Sequence, residues 1–162
     1  MTRGIFLLLG SNQGDKRHHL NKAIIAIEKQ IGNIVAESSN YIAKAWGKTD
    51  QPDFINKVIE LNTKISPSEL LEIILAIEKQ VGRVRFEKWG PRIIDIDILY
   101  FQNKIIEDNN LEIPHPQIAN RMFTLKPLCE IAPDFIHPVL QKTNLEMMQE
   151  CKDPLLVVKE ND

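Results

Sequence analysis

An α+β fold, an antiparallel sheet with helices packed on it, is predicted by three observations: segments that alternate with period two, two apolar helical stripes ending in glycine, and the order in which these occur. Residues 4–10, GIFLLLG, form a short apolar run that reads as a buried strand. The loop GSNQGD leads into a helix whose Leu20, Ala23, Ile24, Ile27 and Ile31 share one stripe, with Gly32 as the expected stop. NIVAESSNYIA reads as a second strand and FINKVIELNTKI, after the loop KAWGKTDQPD, as a third. The next helix is the best marked. Ser66 is its cap, Pro67 its first-turn proline and Glu69 its capping-box acid; Leu70, Ile74, Ile77 and Val81 form the stripe, and Gly82 closes it. A strand containing Asp95 and Asp97 follows. The order strand, helix, strand, strand, helix, strand gives a split βαβ sheet with helices on one face, a ferredoxin-like sandwich. AIEKQIG at 26–32 recurs as AIEKQVG at 76–82, from similar stop signals or from a duplicated half. Beyond residue 102, the prolines of IPHPQ, KPLCEIAPDF and HPVL predict short helices and connecting segments around that core.

A chain of 162 residues, 43% of them apolar, is expected to form a single domain over 1–162. Its formal charge of -2 provides no global field to attract nucleic acid or an anionic membrane, so an anion site must come from local clustering of bases. Ile5 to Leu9 is too short for a secretory signal, and no run approaches the roughly 18 apolar residues of a membrane span. Cys129 and Cys151 lack metal-ligand spacing and are too few for a disulfide framework, so a reduced, cytoplasmic compartment is expected.

The stretch WGPRIIDIDIL at 89–99 carries the chemistry. Aspartate is depleted in strands, yet Asp95 and Asp97 alternate with Ile94, Ile96 and Ile98. Residues two apart in a strand face the same side, so the acids share one face, about 7 Å apart, and repel by roughly 2 kcal/mol at an effective dielectric near 20. A cation relieves that cost, and hard carboxylate oxygens suit Mg²⁺ bound together with substrate phosphates. The alternative is an edge strand with a wet polar face. Of the six arginines, Arg83, Arg85, Arg92 and Arg121 fall near the acids or in the last third of the chain. Guanidinium grips phosphate oxygens bidentately, which lysine cannot do. Acids and arginines together describe a site for a metal-bound polyphosphate, or else a surface salt-bridge network.

Other signals are weaker. WGKTD ends like a phosphate loop, but Ile42 stands where that motif needs its first glycine. Phe54 and Asn56 share a strand face and offer an aromatic plate beside an amide, as a flat heterocycle with an amide edge requires; core packing is the other reading. Trp46 and Trp89 sit in loops, as lids over a substrate or as satellite packing. His115 lies between two prolines, whereas His18, His19 and His137 read as surface or packing residues. Glu78, near a helix C-terminus where negative charge is disfavoured, needs a partner, and Arg83 or Arg85 would serve.

KWGPRIIDIDIL at 88–99, GSN after the first strand, DQPDFIN at 50–56, GRVR at 82–85 and PHPQIANRMFTLKPLCEIAP at 114–133 together resemble the 6-hydroxymethyl-7,8-dihydropterin pyrophosphokinases of folate biosynthesis. The resemblance runs through nearly the whole chain and implies pyrophosphoryl transfer from ATP to the pterin hydroxymethyl group, with release of AMP. It implies two Mg²⁺ ions on Asp95 and Asp97, with Arg83 and Arg92 assisting transfer. ATP contacts are implied at Glu78, Arg85, Arg92, Ile98, His115 and Arg121. Pterin contacts are implied at Ala43, Lys44, Trp46, Phe54, Asn56, Trp89 and Phe123, the ring stacking between Phe54 and Phe123. Mobile loops near 10–15, 44–53 and 83–92, and a monomer, are likewise implied. YIAKAWG departs from the family in lacking its frequent Thr-Pro pair, and Leu75 stands where some relatives are polar. Two rivals remain open: a non-catalytic nucleotide or pterin sensor, and an RNA-binding sheet module, which the acidic balance and low aromatic content disfavour.

Overall fold

The computed structural model describes residues 4–44, 52–82 and 93–161. In chain order the elements are β1 (Ile5–Ser11), α1 (Lys16–Gln30), β2 (Asn33–Glu37), β3 (Tyr41–Ala43), β4 (Phe54–Asn62), α2 (Pro67–Val81) and β5 (Asp95–Phe101). There follow β6 (Ile106–Glu107), β7 (Glu112–Ile113), a 3-10 turn (Ile118–Asn120), α3 (Met122–Ile131), α4 (Asn144–Glu150) and β8 (Val157–Lys159). The main sheet is antiparallel in the order β5-β1-β4-β3-β8, with β2 also paired to β4. Among the described residues no helix is long and apolar enough to cross a membrane.

The α+β sandwich is as expected, but helices cover both faces of the sheet rather than one. On one side α1 and α2 bury Leu20, Ile27, Leu70, Ile74 and Ile77 against Ile5, Leu7, Leu9, Ile59, Ile96 and Ile98. On the other, Leu125, Leu128 and Met147 of α3 and α4 meet Phe6, Leu8, Val58, Leu99 and Tyr100. The signal is in β1, whose unbroken IFLLL run marks a strand buried on both sides, where a half-exposed strand would alternate.

Local chemistry sets the boundaries. The capping box of α2 forms as expected, and Gly82 ends the helix in the left-handed region at φ 110°. Gly32 works differently. The C-cap of α1 is Ile31 in right-handed geometry, and a side chain at Gly32 would place its Cβ 2.3 Å from the Asn62 carbonyl oxygen, so close backbone approach demands the glycine. The expected single strand over NIVAESSNYIA is broken at Ser38, whose N–H donates to the Val58 carbonyl while its hydroxyl accepts from the Val58 N–H. A side-chain oxygen there substitutes for a ladder carbonyl.

Tyr100 anchors the second face. Its ring is fully buried, and its hydroxyl donates to Asn144 Oδ1 at 2.8 Å, while Asn144 Nδ2 donates to the Ala132 carbonyl. Tyr100→Phe strands a buried acceptor and should cost about 1–2 kcal/mol, read as a lowered urea midpoint with unchanged slope.

Candidate active site

The candidate residues gather at one end of the sheet, where β1 finishes and β4 and β5 begin. The register sets Gly10 opposite Asp95 and Leu8 opposite Asp97 on one side, and Gly10 opposite Asn56 on the other. Ile96 and Ile98 turn into the first core, so Asp95 and Asp97 lie together on the opposite face, both half-buried. Between them the Ile96 N–H donates to Glu78 Oε2 at 2.8 Å. Glu78 is 3% exposed, so this edge of β5 is fixed to α2 by a buried carboxylate that would be costly to leave without donors. The partners expected for Glu78, Arg83 and Arg85, lie outside the described residues, as do Arg92, Trp46 and Trp89.

Arg121 is the cation of the cluster among the described residues. Burial lowers its pKa, and Asp97, Asp95 and Asp153, in that order, oppose the shift. Its guanidinium carbon lies 5.4 Å from the centroid of the Phe123 ring. His115 follows a cis Ile113–Pro114 bond, and its N–H donates to the Leu99 carbonyl at 2.9 Å, which ties it to β5 beyond the acids.

Burial favours the neutral form of the His115 ring. Its Nδ1 accepts from the Gln117 N–H at 3.1 Å, so its proton sits on Nε2, which can donate to an anionic oxygen. Burial first, and then the Arg121 charge, push its pKa from 6.5 down to about 4 despite Asp95. Below pH 6.5 the unfolded chain takes a proton that the folded chain refuses. The stability this group contributes is therefore full above 6.5 and is lost as the pH falls towards 4. His115→Gln should flatten that part of the profile, measured as urea midpoints at pH 7.5 and 5.

Next to the acids is an aromatic and amide pocket. Asn56 is 4% exposed, Phe54 is half-buried, and Phe123 packs on the cluster of Tyr41, Ala43 and Val157. Ala43 pairs with Phe54, and Lys44 follows it, exposed. The Asn56 amide leans across Gly10: a Cβ there would sit 2.6 Å from Asn56 Oδ1. On the α2 side a cleft of about 640 Å³ is lined by Ser68, Leu71, Leu75, Glu78, Asp95, Asp97 and Leu111, among others. Ile98 is not on the acids' face; it is 6% exposed and belongs to the first core.

A family model described as 7,8-dihydro-6-hydroxymethylpterin-pyrophosphokinase matches residues 6–133. The chain belongs to this family. It is 44% identical over 137 residues to the 2-amino-4-hydroxy-6-hydroxymethyldihydropteridine pyrophosphokinase of Methylorubrum extorquens, covering 84% of this chain and 86% of that protein. Its identity to the enzyme of that name from Aquifex aeolicus is 42% over 146 residues, covering 90% and 91%. Among solved structures, a triple mutant of Plasmodium falciparum HPPK-DHPS aligns with TM-score 0.75 at 18% identity, covering 93% of this chain and 43% of that one. The wild type with pterin and p-hydroxybenzoate aligns with TM-score 0.74 at 18% identity, covering 93% and 42%. These two likenesses speak for the fold, and the chain spans less than half of either solved chain. The protein is a pyrophosphokinase of folate biosynthesis.

Three features of this pyrophosphokinase site escape sequence reasoning based on GSNQGD as a turn. β1 runs through Ser11, so Gly10 is a strand residue, and a glycine inside a strand pattern is the signal for close approach. Asn12 is fully buried and donates through Nδ2 to the Pro52 carbonyl at 3.3 Å. Lys16 Nζ donates to the Asp53 carbonyl at 2.9 Å, so the two side chains together fix the entry to Phe54.

Proposed function

We propose that the enzyme transfers pyrophosphate from ATP to the hydroxymethyl oxygen of 6-hydroxymethyl-7,8-dihydropterin, releasing AMP, as a cytoplasmic monomer. The observation that carries this reading is the same-face pair Asp95 and Asp97 beside Arg121, with the Asn56 amide two strands away across Gly10 and Phe123 in contact with the guanidinium.

The donor set fits Mg²⁺. Two half-buried carboxylates on one face offer hard oxygens at the mouth of a cleft large enough for a nucleotide. When bound there, two Mg²⁺ ions would neutralise the triphosphate and lower the pKa of the attacking hydroxyl. The chain's own residues do the rest. Phe54 and Phe123 hold the pterin plane, and Asn56 reads its amide edge with one acceptor and two donors. The nucleotide lies in the cleft beside α2, against Leu71 and Leu75, with Glu78 holding the acid-bearing strand in place. The pterin oxygen attacks the β-phosphorus in line and gives up its hydroxyl proton to solvent; the new O–P bond forms as the bond from that phosphorus to the α,β-bridging oxygen breaks, and AMP leaves with the electron pair. Arg121, the Nε2–H of His115, and Arg83, Arg85 and Arg92 take up the charge that develops on the phosphate oxygens. Ala43, Lys44, Trp46 and Trp89 complete the pterin side.

The test is the nucleotide product formed from ATP, Mg²⁺ and hydroxymethyl-dihydropterin. AMP in equal amount to pterin diphosphate is expected. ADP would mean ordinary kinase chemistry, and tight binding without turnover would mean a sensor; either would sink the proposal.

A further inference from the structure

Asp153 lies in the extended segment between α4 and β8, beyond the stretch 6–133 that the family model matches. Its Oδ2 accepts from the Met122 N–H at 3.0 Å, across 31 residues of sequence. Its Oδ1 accepts from the Leu155 N–H at 3.0 Å, which fixes the carboxylate plane. Met122 opens α3, and the N-cap of that helix is Arg121, an extended residue whose side chain makes no capping bond. A helix start needs its N–H groups satisfied and favours negative charge; here the cap comes from a remote carboxylate, while the cap position itself carries a cation. The same segment is held at a second point, where Lys126 Nζ of α3 donates to the Val157 carbonyl at 2.7 Å. Val157 in turn pairs with Ala43, so the segment joins α3 to the strand edge beside the pocket.

We infer that Asp153 is a positioning residue for the transfer reaction: its carboxylate fixes the first turn of α3 and, through it, holds the Arg121 guanidinium at the acid pair. The inference rests on the proposed phosphate role of Arg121. The N-cap and first turn of α3 carry Arg121 and Phe123, so a shift there moves the proposed phosphate fork and pterin plate together. Asp153 is also the third carboxylate acting on Arg121, after Asp97 and Asp95, and it faces that cation from outside the metal-binding pair.

The test is a double-mutant cycle on AMP formation, with the melting midpoint of each protein recorded. Asp153→Asn keeps an acceptor for one of the two N–H groups and removes the charge. It is expected to lower kcat about tenfold in the otherwise unsubstituted chain, and less than about twofold in the Arg121→Ala background. A role in folding alone would give the same factor in both backgrounds. Asp153→Ala removes both acceptors and should also raise the KM for pterin through Phe123; if it fails to fold, the Asn variant decides. Unchanged kcat for Asp153→Asn, or an undiminished loss in the Arg121→Ala background, overturns the inference. Full activity in Arg121→Ala alone would overturn the phosphate role beneath it, so the two failures are distinguishable.

Discussion

Asp97→Ala is expected to lower kcat for AMP formation by about a thousandfold or more, with the fold intact. Asp97 faces Arg121 more strongly than Asp95 does, and it shares its strand face with Asp95 at the cleft. In the proposed mechanism, removing it halves the hard-oxygen donor set and leaves the triphosphate without one of its anchors. The fold should not suffer. Asp97 is half-buried on an edge strand, its backbone stays paired to Leu8, and the like-charge repulsion of the acid pair, roughly 2 kcal/mol, disappears with it. Steady-state rates, circular dichroism and a thermal melt on one preparation check this. A variant with native spectrum and native rate would remove the metal assignment and the mechanism with it.

Gly10→Val should be nearly as damaging, by a different route. The Gly10 backbone is ordinary strand, so the substitution tests space and not conformation. Its Cβ would meet Asn56 Oδ1 at 2.6 Å and Phe54 Cδ1 at 3.6 Å, far inside normal contact for the first. Asn56 must swing away, and the amide proposed to read the pterin edge is lost from its position. A misplacement of about 1 Å at a reacting site costs on the order of a hundredfold, so the KM for pterin should rise by about that factor. The KM for ATP should stay within about twofold, because the cleft proposed for the nucleotide is lined by α2 and β5 and not by Asn56. An unchanged pterin KM would take Asn56 out of the pterin pocket.

The sequence was informative wherever a pattern is local. The Ser66, Pro67 and Glu69 signature and Gly82 bound α2 where the structure ends it, and the alternation around Asp95 and Asp97 carried over directly into a shared face. Features that depend on distant partners were harder to read. The short helices expected of the Pro-rich region are there, but α3 runs on through Pro127, which gives up a helical hydrogen bond; the burial of Leu125 and Leu128, both 0% exposed, outweighs that loss. β8 is three residues long and exists because β3 offers it an edge. Within the site, Asp95, Asp97, Arg121, His115, Asn56 and Phe123 could be picked out by residue type and neighbours. Gly10 and Asp153 could not, since each acts through a contact whose other half lies tens of residues away.

The direction of the strands has a practical consequence. β1 runs towards the acids, so Gly4, whose carbonyl accepts from the Gln102 N–H, lies at the far rim of the sheet, whereas β8 stays level with the site: Lys159 pairs with Tyr41, which pairs with Asn56, and Glu160 meets Arg17 at the start of α1. A label on Asn103, exposed in the turn beyond β5, therefore departs from the rim opposite the acid pair, whereas one at Glu160 would stand at the acids' own end of the sheet.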